Sequence, residues 1–164
     1  MRSRKDPTKD RKPSTKGIVL LIEDNPDHAW LIQSVLAMSP CVKEVRLIDD
    51  GEAAQNSIEI EPEDEPLGVP DLVLLDLKLP KVDGLTVLHS LRNSPHWRTV
   101  PVVVLTTSTN PQDIAVCYAS GASSYISKVA DPTLLAESLL QVAEVYLGGS
   151  QDEHAGRREG PLPA

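Results

Sequence analysis

Gly17-Ile18-Val19-Leu20-Leu21-Ile22-Glu23-Asp24-Asn25-Pro26 is the stretch on which the reading of this chain turns. Its aliphatic run shows no alternation and stops abruptly at two acids. Such a run suits a strand covered on both faces, the habit of parallel sheets. Asn25 is a good helix N-cap and Pro26 is favoured at the first helical position. A helix therefore follows, with Trp30, Leu31, Val35, Leu36 and Met38 at helical spacing, ended by Ser39-Pro40. The same device recurs along the chain. Val42–Ile48 is a more polar strand, and Asp49-Asp50-Gly51 leads into a helix over 52–58. Asp71–Leu75 is a buried strand ending on Asp76, followed by a loop through Asp83-Gly84 and a helix over 85–93 with Leu85, Leu88 and Leu91 at core spacing. Val100–Leu105 ends at Thr106-Thr107-Ser108. Asn110-Pro111 then opens a fourth helix, with Asp113 at the capping-box position. Ser123–Ile126 is a short fifth strand followed by Lys128. Asp131-Pro132 caps a last helix expected to bury Leu134, Leu135, Leu139, Val142, Val145 and Tyr146.

Five strands alternating with five helices predict an α/β fold, a doubly wound, mostly parallel sheet. Residues 17–147 are expected to form this one domain, with a basic N-terminal arm (1–16) and a C-terminal tail (148–164). Residues 59–70 hold five acids and three prolines and read as an exposed loop.

Composition narrows the function. The 164 residues are 40% hydrophobic and carry a net charge of −8, so the chain is an ordinary globular one, long enough for a single core. Aromatics are only 3%, which argues against a stacking platform for single-stranded nucleic acid. The arm carries seven basic and two acidic side chains and the tail two and three, so residues 17–147 bear −12. A domain this acidic is repelled by DNA phosphates. No apolar run reaches transmembrane length and no secretory signal is evident. Cys41 and Cys117 stand far apart and read as reduced thiols of a cytoplasmic protein.

In an open parallel sheet, ligands sit at the carboxyl ends of the strands. The polar residues expected there are Glu23 and Asp24, Asp76, Thr106 and Lys128. Three carboxylates together repel one another unless a cation neutralises them, and oxygen ligands of this kind suit a hard divalent ion such as Mg²⁺. A phosphoryl group would find the metal, a Lys charge and a hydroxyl there, the parts that phosphoryl transfer requires. Asp is also a nucleophile for phosphoryl groups.

The sequence resembles the receiver domain of two-component response regulators over essentially all of 17–147. The resemblance rests on Ile22-Glu23-Asp24-Asn25, Leu74 to Pro80, Asp83-Gly84, Leu105 to Ser108, Gly121-Ala122, Tyr125 and Lys128, in that order. It implies a flavodoxin-like sheet of strand order 2-1-3-4-5. It implies that Asp76 accepts phosphate from a sensor histidine kinase. Asp24, Asp76 and the backbone carbonyl of Lys78 would hold Mg²⁺, with Glu23 acting through water, while Lys128 and Thr106 contact the phosphoryl oxygens. Thr106 and Tyr125 would form the switch, Tyr125 reshaping the surface of the fourth helix, fifth strand and fifth helix. Read alone, Tyr125 is equally a half-buried packing residue. The Glu-Asp-Asn-Pro opening, acidic loop and Leu-Thr-Thr-Ser motif look most like single-domain regulators paired with bacterial phytochromes, many of which are homodimers. The expectation is thus a signalling protein rather than an enzyme, without a DNA-binding domain.

Three departures from the family pattern stand out. Val129 follows the lysine where proline is common, and a trans path is expected there. Lys78 stands two residues after the phosphoacceptor, able to hold phosphate or hinder the metal. Thr107 is bulkier than usual and narrows the site. His28, His89, His96 and His154 show no ligand spacing. Rival readings are a degenerate receiver that only binds partners and an aspartyl phosphatase, whose second Asp would stand where Lys78 is. A dinucleotide-binding oxidoreductase is excluded, because Glu23 to Pro26 occupy the place of the glycine-rich turn.

Overall fold

A computed structural model describes residues 16–60, 64, 68–128 and 131–148. Strands β1 (Gly17–Ile22), β2 (Val42–Ile48), β3 (Leu72–Asp76), β4 (Val102–Thr106) and β5 (Ser124–Ser127) alternate with helices α1 (Pro26–Leu36), α2 (Gly51–Glu59), α3 (Gly84–Asn93), α4 (Pro111–Ala119) and α5 (Pro132–Leu147). The strands form one sheet in the order β2-β1-β3-β4-β5, every pair parallel. This is the expected doubly wound architecture. Residues 1–15 of the basic arm, half of the acidic loop (61–63 and 65–67), the tail beyond 148, and Val129 lie outside the described residues.

Two apolar layers flank the sheet because successive strand residues face opposite ways. Val19, Leu21, Leu72, Leu74, Val103 and Leu105 pack against α1 and α5. Leu20, Ile22, Val73, Leu75, Val102 and Val104 pack against α2 and α3, joined by Trp97 and Cys117. Each such aliphatic side chain contributes roughly 1.5–3 kcal/mol through burial. The central strands carry apolar residues on both faces, which explains the absence of alternation in their sequences. The edge strand β2 pairs only with β1 among these strands and exposes Lys43, Glu44 and Leu47.

Helix phase departs from the sequence reading in two places. The buried face of α1 is Ala29, Ile32, Val35 and Leu36, whereas Trp30 and Met38 are 70% and 68% exposed. On α5 the buried set is Leu135, Leu139, Val142, Ala143 and Leu147, and Leu134 and Val145 face solvent. In both helices a small alanine holds a core position, and the larger apolar residues are one or more 100° steps away.

Asn25, Asp50, Asp83, Asn110 and Asp131 cap the five helices, each accepting a backbone N–H. Asp113 does not close a capping box. The N–H of Asn110 donates to Ser108 Oγ (3.2 Å), and the Ser108 hydroxyl donates to Asp113 Oδ2 at 2.6 Å. Gly84 is required where α3 starts, since a Cβ there would meet the Asp76 carbonyl oxygen and Leu77 Cα at 2.5 Å. That close approach brings the α3 N-terminus against the end of β3.

Candidate functional site at the carboxyl edge of the sheet

Strand register assembles the site. Ile22 pairs with Leu75, Asp76 with Leu105 and Thr106 with Ser127, so the residues at or just past these ends share one rim. Glu23, Asp76 and Thr106 are buried there, while Asp24 is exposed. The Lys128 N–H donates to the Thr106 carbonyl at 2.7 Å, which fixes where the lysine leaves β5.

Lys128 is the hub. Its ammonium, on a side chain only 7% exposed, lies 2.5 Å from Glu23 Oε2 and 3.1 Å from Asp76 Oδ2. The other Asp76 oxygen, Oδ1, accepts the Lys78 N–H at 3.1 Å, and Glu23 Oε1 accepts the Asn25 N–H at 3.2 Å. Oxygens of Glu23, Asp24 and Asp76 lie within 4.8 Å of one another. Three carboxylates therefore face one ammonium. Burial pushes the Glu23 carboxyl up to about 7; Lys128 opposes that rise and the nearby Asp76 charge adds to it. The oxygen donor set and its unbalanced negative charge fit a divalent metal ion.

Thr106 Oγ1 accepts the Ser108 N–H at 3.0 Å, tying the threonine to the Ser108–Asp113 link at the start of α4. Tyr125 is half-buried, and its ring meets Tyr118 of α4 edge to face, centroids 6.0 Å apart at 84°. The side chains of Lys78 and Thr107 are exposed on the wall of a cavity of about 400 Å³. Leu77, Leu85, Val116 and Cys117 supply the apolar part of that wall.

All five expected site residues thus meet. One participant was missed: His28, whose Nδ1 is 3.3 Å from Lys128 Nζ and 3.8 Å from Glu23 Oε1. A search for metal-ligand spacing passes over it. The informative signal is its place as the third residue of a helix capped at Asn25, which sets it above the end of β1.

Residues 19–140 match the family model of the response regulator receiver domain. The probable methanogenesis regulatory protein FilR2 of Methanothrix harundinacea is 37% identical over 80% of this chain and 84% of its own length. The response regulator Rcp1 of Synechocystis is 39% identical over 68% of this chain and 76% of its own. The crystal structure of Mn²⁺-bound Rcp1 superposes with a TM-score of 0.72 at 34% identity, covering 80% of this chain and 94% of that one. The phosphorylated cyanobacterial phytochrome response regulator RcpA superposes with a TM-score of 0.75 at 37% identity, covering 83% and 97%. Among the described residues no helix is long and apolar enough to cross a membrane.

Proposed function

This chain belongs to the response regulator receiver family, and on that premise we propose that Asp76 accepts a phosphoryl group from a sensor histidine kinase, with Mg²⁺. The observation that carries the reading is the meeting of Lys128 with Asp76 and Glu23 beside a third carboxylate, Asp24. An Asp76 oxygen attacks the phosphorus of the kinase phosphohistidine. The N–P bond breaks, its electron pair returns to the imidazole, which takes up a proton, and an acyl phosphate remains on Asp76. Asp24, Asp76 and the Lys78 carbonyl would hold Mg²⁺, which when bound neutralises charge on the transferring oxygens. Lys128 holds the nucleophile now and pairs with phosphoryl oxygens afterwards. Thr106 would release Ser108 to reach the same oxygens, and Tyr125 would follow, altering the α4–β5–α5 face. The exposed Val116 and Val145 lie on helices of that face and favour a second copy as its partner.

Incubation with Mg²⁺ and acetyl phosphate should give an acid-stable, hydroxylamine-labile label that maps to Asp76 and is absent from Asp76→Asn. No label on the wild-type protein overturns the assignment. The likeness to Rcp1 and RcpA supports a phytochrome kinase as donor. Faster phosphotransfer from such a kinase than from an unrelated one is the expected result. Sedimentation with and without beryllofluoride tests the dimer, and a monomer in both conditions would refute it.

A further inference from the structure

We propose that His28 is a positioning residue for Lys128, an inference that rests on the phosphoacceptor reading above. An ammonium group has three N–H donors and no acceptor. Lys128 Nζ has three acceptors around it: Glu23 Oε2, Asp76 Oδ2 and His28 Nδ1. Because the ammonium can only donate, Nδ1 supplies its lone pair and the ring proton sits on Nε2. Of the three, only Asp76 changes partner in the reaction; Glu23 and His28 keep their bonds to the ammonium.

That difference gives His28 its role. Once Asp76 carries a phosphoryl group, its charge moves outward onto the phosphoryl oxygens, and Lys128 must pass a hydrogen bond from the carboxylate to one of them. Glu23 alone leaves the ammonium free to pivot about a single partner. With His28 as well, the ammonium is held at two points and the third donor is directed to the phosphoryl oxygen. His28 also lines both the main cavity and a second one of about 310 Å³ between α1 and α5, whose wall includes Thr107, Lys128 and Leu135.

The test compares three substitutions at this half-exposed position, with thermal melts to verify folding. His28→Ala should lower the maximal rate of labelling by acetyl phosphate about tenfold, the rate equivalent of one charge-assisted hydrogen bond, with the half-saturating donor concentration unchanged. His28→Asn, whose Oδ1 occupies the place of Nδ1, should restore most of that rate; His28→Gln, whose oxygen lies further out, should not. In the metal-free protein the ¹⁵N resonance of the Lys128 ammonium should be slowly exchanging in the wild type and His28→Asn, and lost to exchange in His28→Ala. Wild-type labelling rates in His28→Ala, or equal rescue by Asn and Gln, would overturn this inference and leave the phosphoacceptor reading intact. No label on wild-type protein would overturn both.

Discussion

Glu23 is the residue where burial and function pull hardest against each other. It is 1% exposed, bonded to Lys128, and still holds its proton up to about pH 7, far above the ordinary carboxylate value of 4.5. The folded protein therefore binds a proton at this site between about pH 4.5 and 7 that the unfolded chain does not. The sign follows from linkage: this group's stabilising contribution is full below about pH 4.5 and is lost as pH rises through 7. Divalent metal binding requires the ionised form and runs the other way, its affinity rising as pH rises through 7. In melts of the metal-free protein, Glu23→Gln should remove a fall in Tm that the wild type shows between about pH 5 and 7. Calorimetric titration should give weaker metal binding by the wild type at pH 6 than at pH 8. An identical pH slope in wild type and Glu23→Gln would refute the account.

Among the elements, the β4–α4 connection links the site to a surface. Thr106 Oγ1, Ser108 and Asp113 form a continuous chain of hydrogen bonds from the buried rim to the first turn of α4. Moving the Thr106 hydroxyl toward a phosphoryl oxygen breaks its bond from Ser108 N–H and loosens that turn. Asp113→Ala removes the far anchor and should cost about 0.5–1.5 kcal/mol, the range for losing one hydrogen bond. Hydrogen exchange should quicken at the amides of Ser108 and Asn110 while those of β1 and β3 stay protected; uniform protection would refute the link. The residue types of this turn were legible in the sequence, but their pairing was not. Spacing places Asp113 three residues after the cap, and only the folded turn shows the Ser108 hydroxyl inserted between them. Helix faces failed for a related reason: a list of large apolar residues includes Trp30 and Leu134 and omits Ala29 and Ala143, although phase and not size decides which residues face the sheet.

On the scale of the whole molecule, the succession and the ends of the strands were readable from the residues, while their order in the sheet came with the family resemblance. Aliphatic runs that stop at Glu23, Asp76 and Thr106 mark both the sheet and its polar rim, because a strand buried on both faces can change to polar residues only where it leaves the core. His28 was hidden because its role comes from the approach of α1 to Lys128, just past the end of β5, a contact across 100 residues. The same convergence sets a cost. Folding gathers Glu23, Asp24 and Asp76 within 4.8 Å in a domain whose net charge is already strongly negative, while Lys128 bonds two of them. Such a site favours metal binding at the expense of the metal-free fold. Asp24 is exposed and contributes repulsion rather than packing, so Asp24→Asn should raise the Tm of the metal-free protein, with a gain of at most about 1 kcal/mol. Wild-type stability should rise with Mg²⁺, by about 2.7 kcal/mol at a hundred times the dissociation constant. Asp24→Asn should lose most of that response. The two effects have opposite signs on one residue, and thermal melts with and without Mg²⁺ measure both. A variant less stable without metal, or equally responsive to it, would mean that Asp24 serves the fold and not the ion.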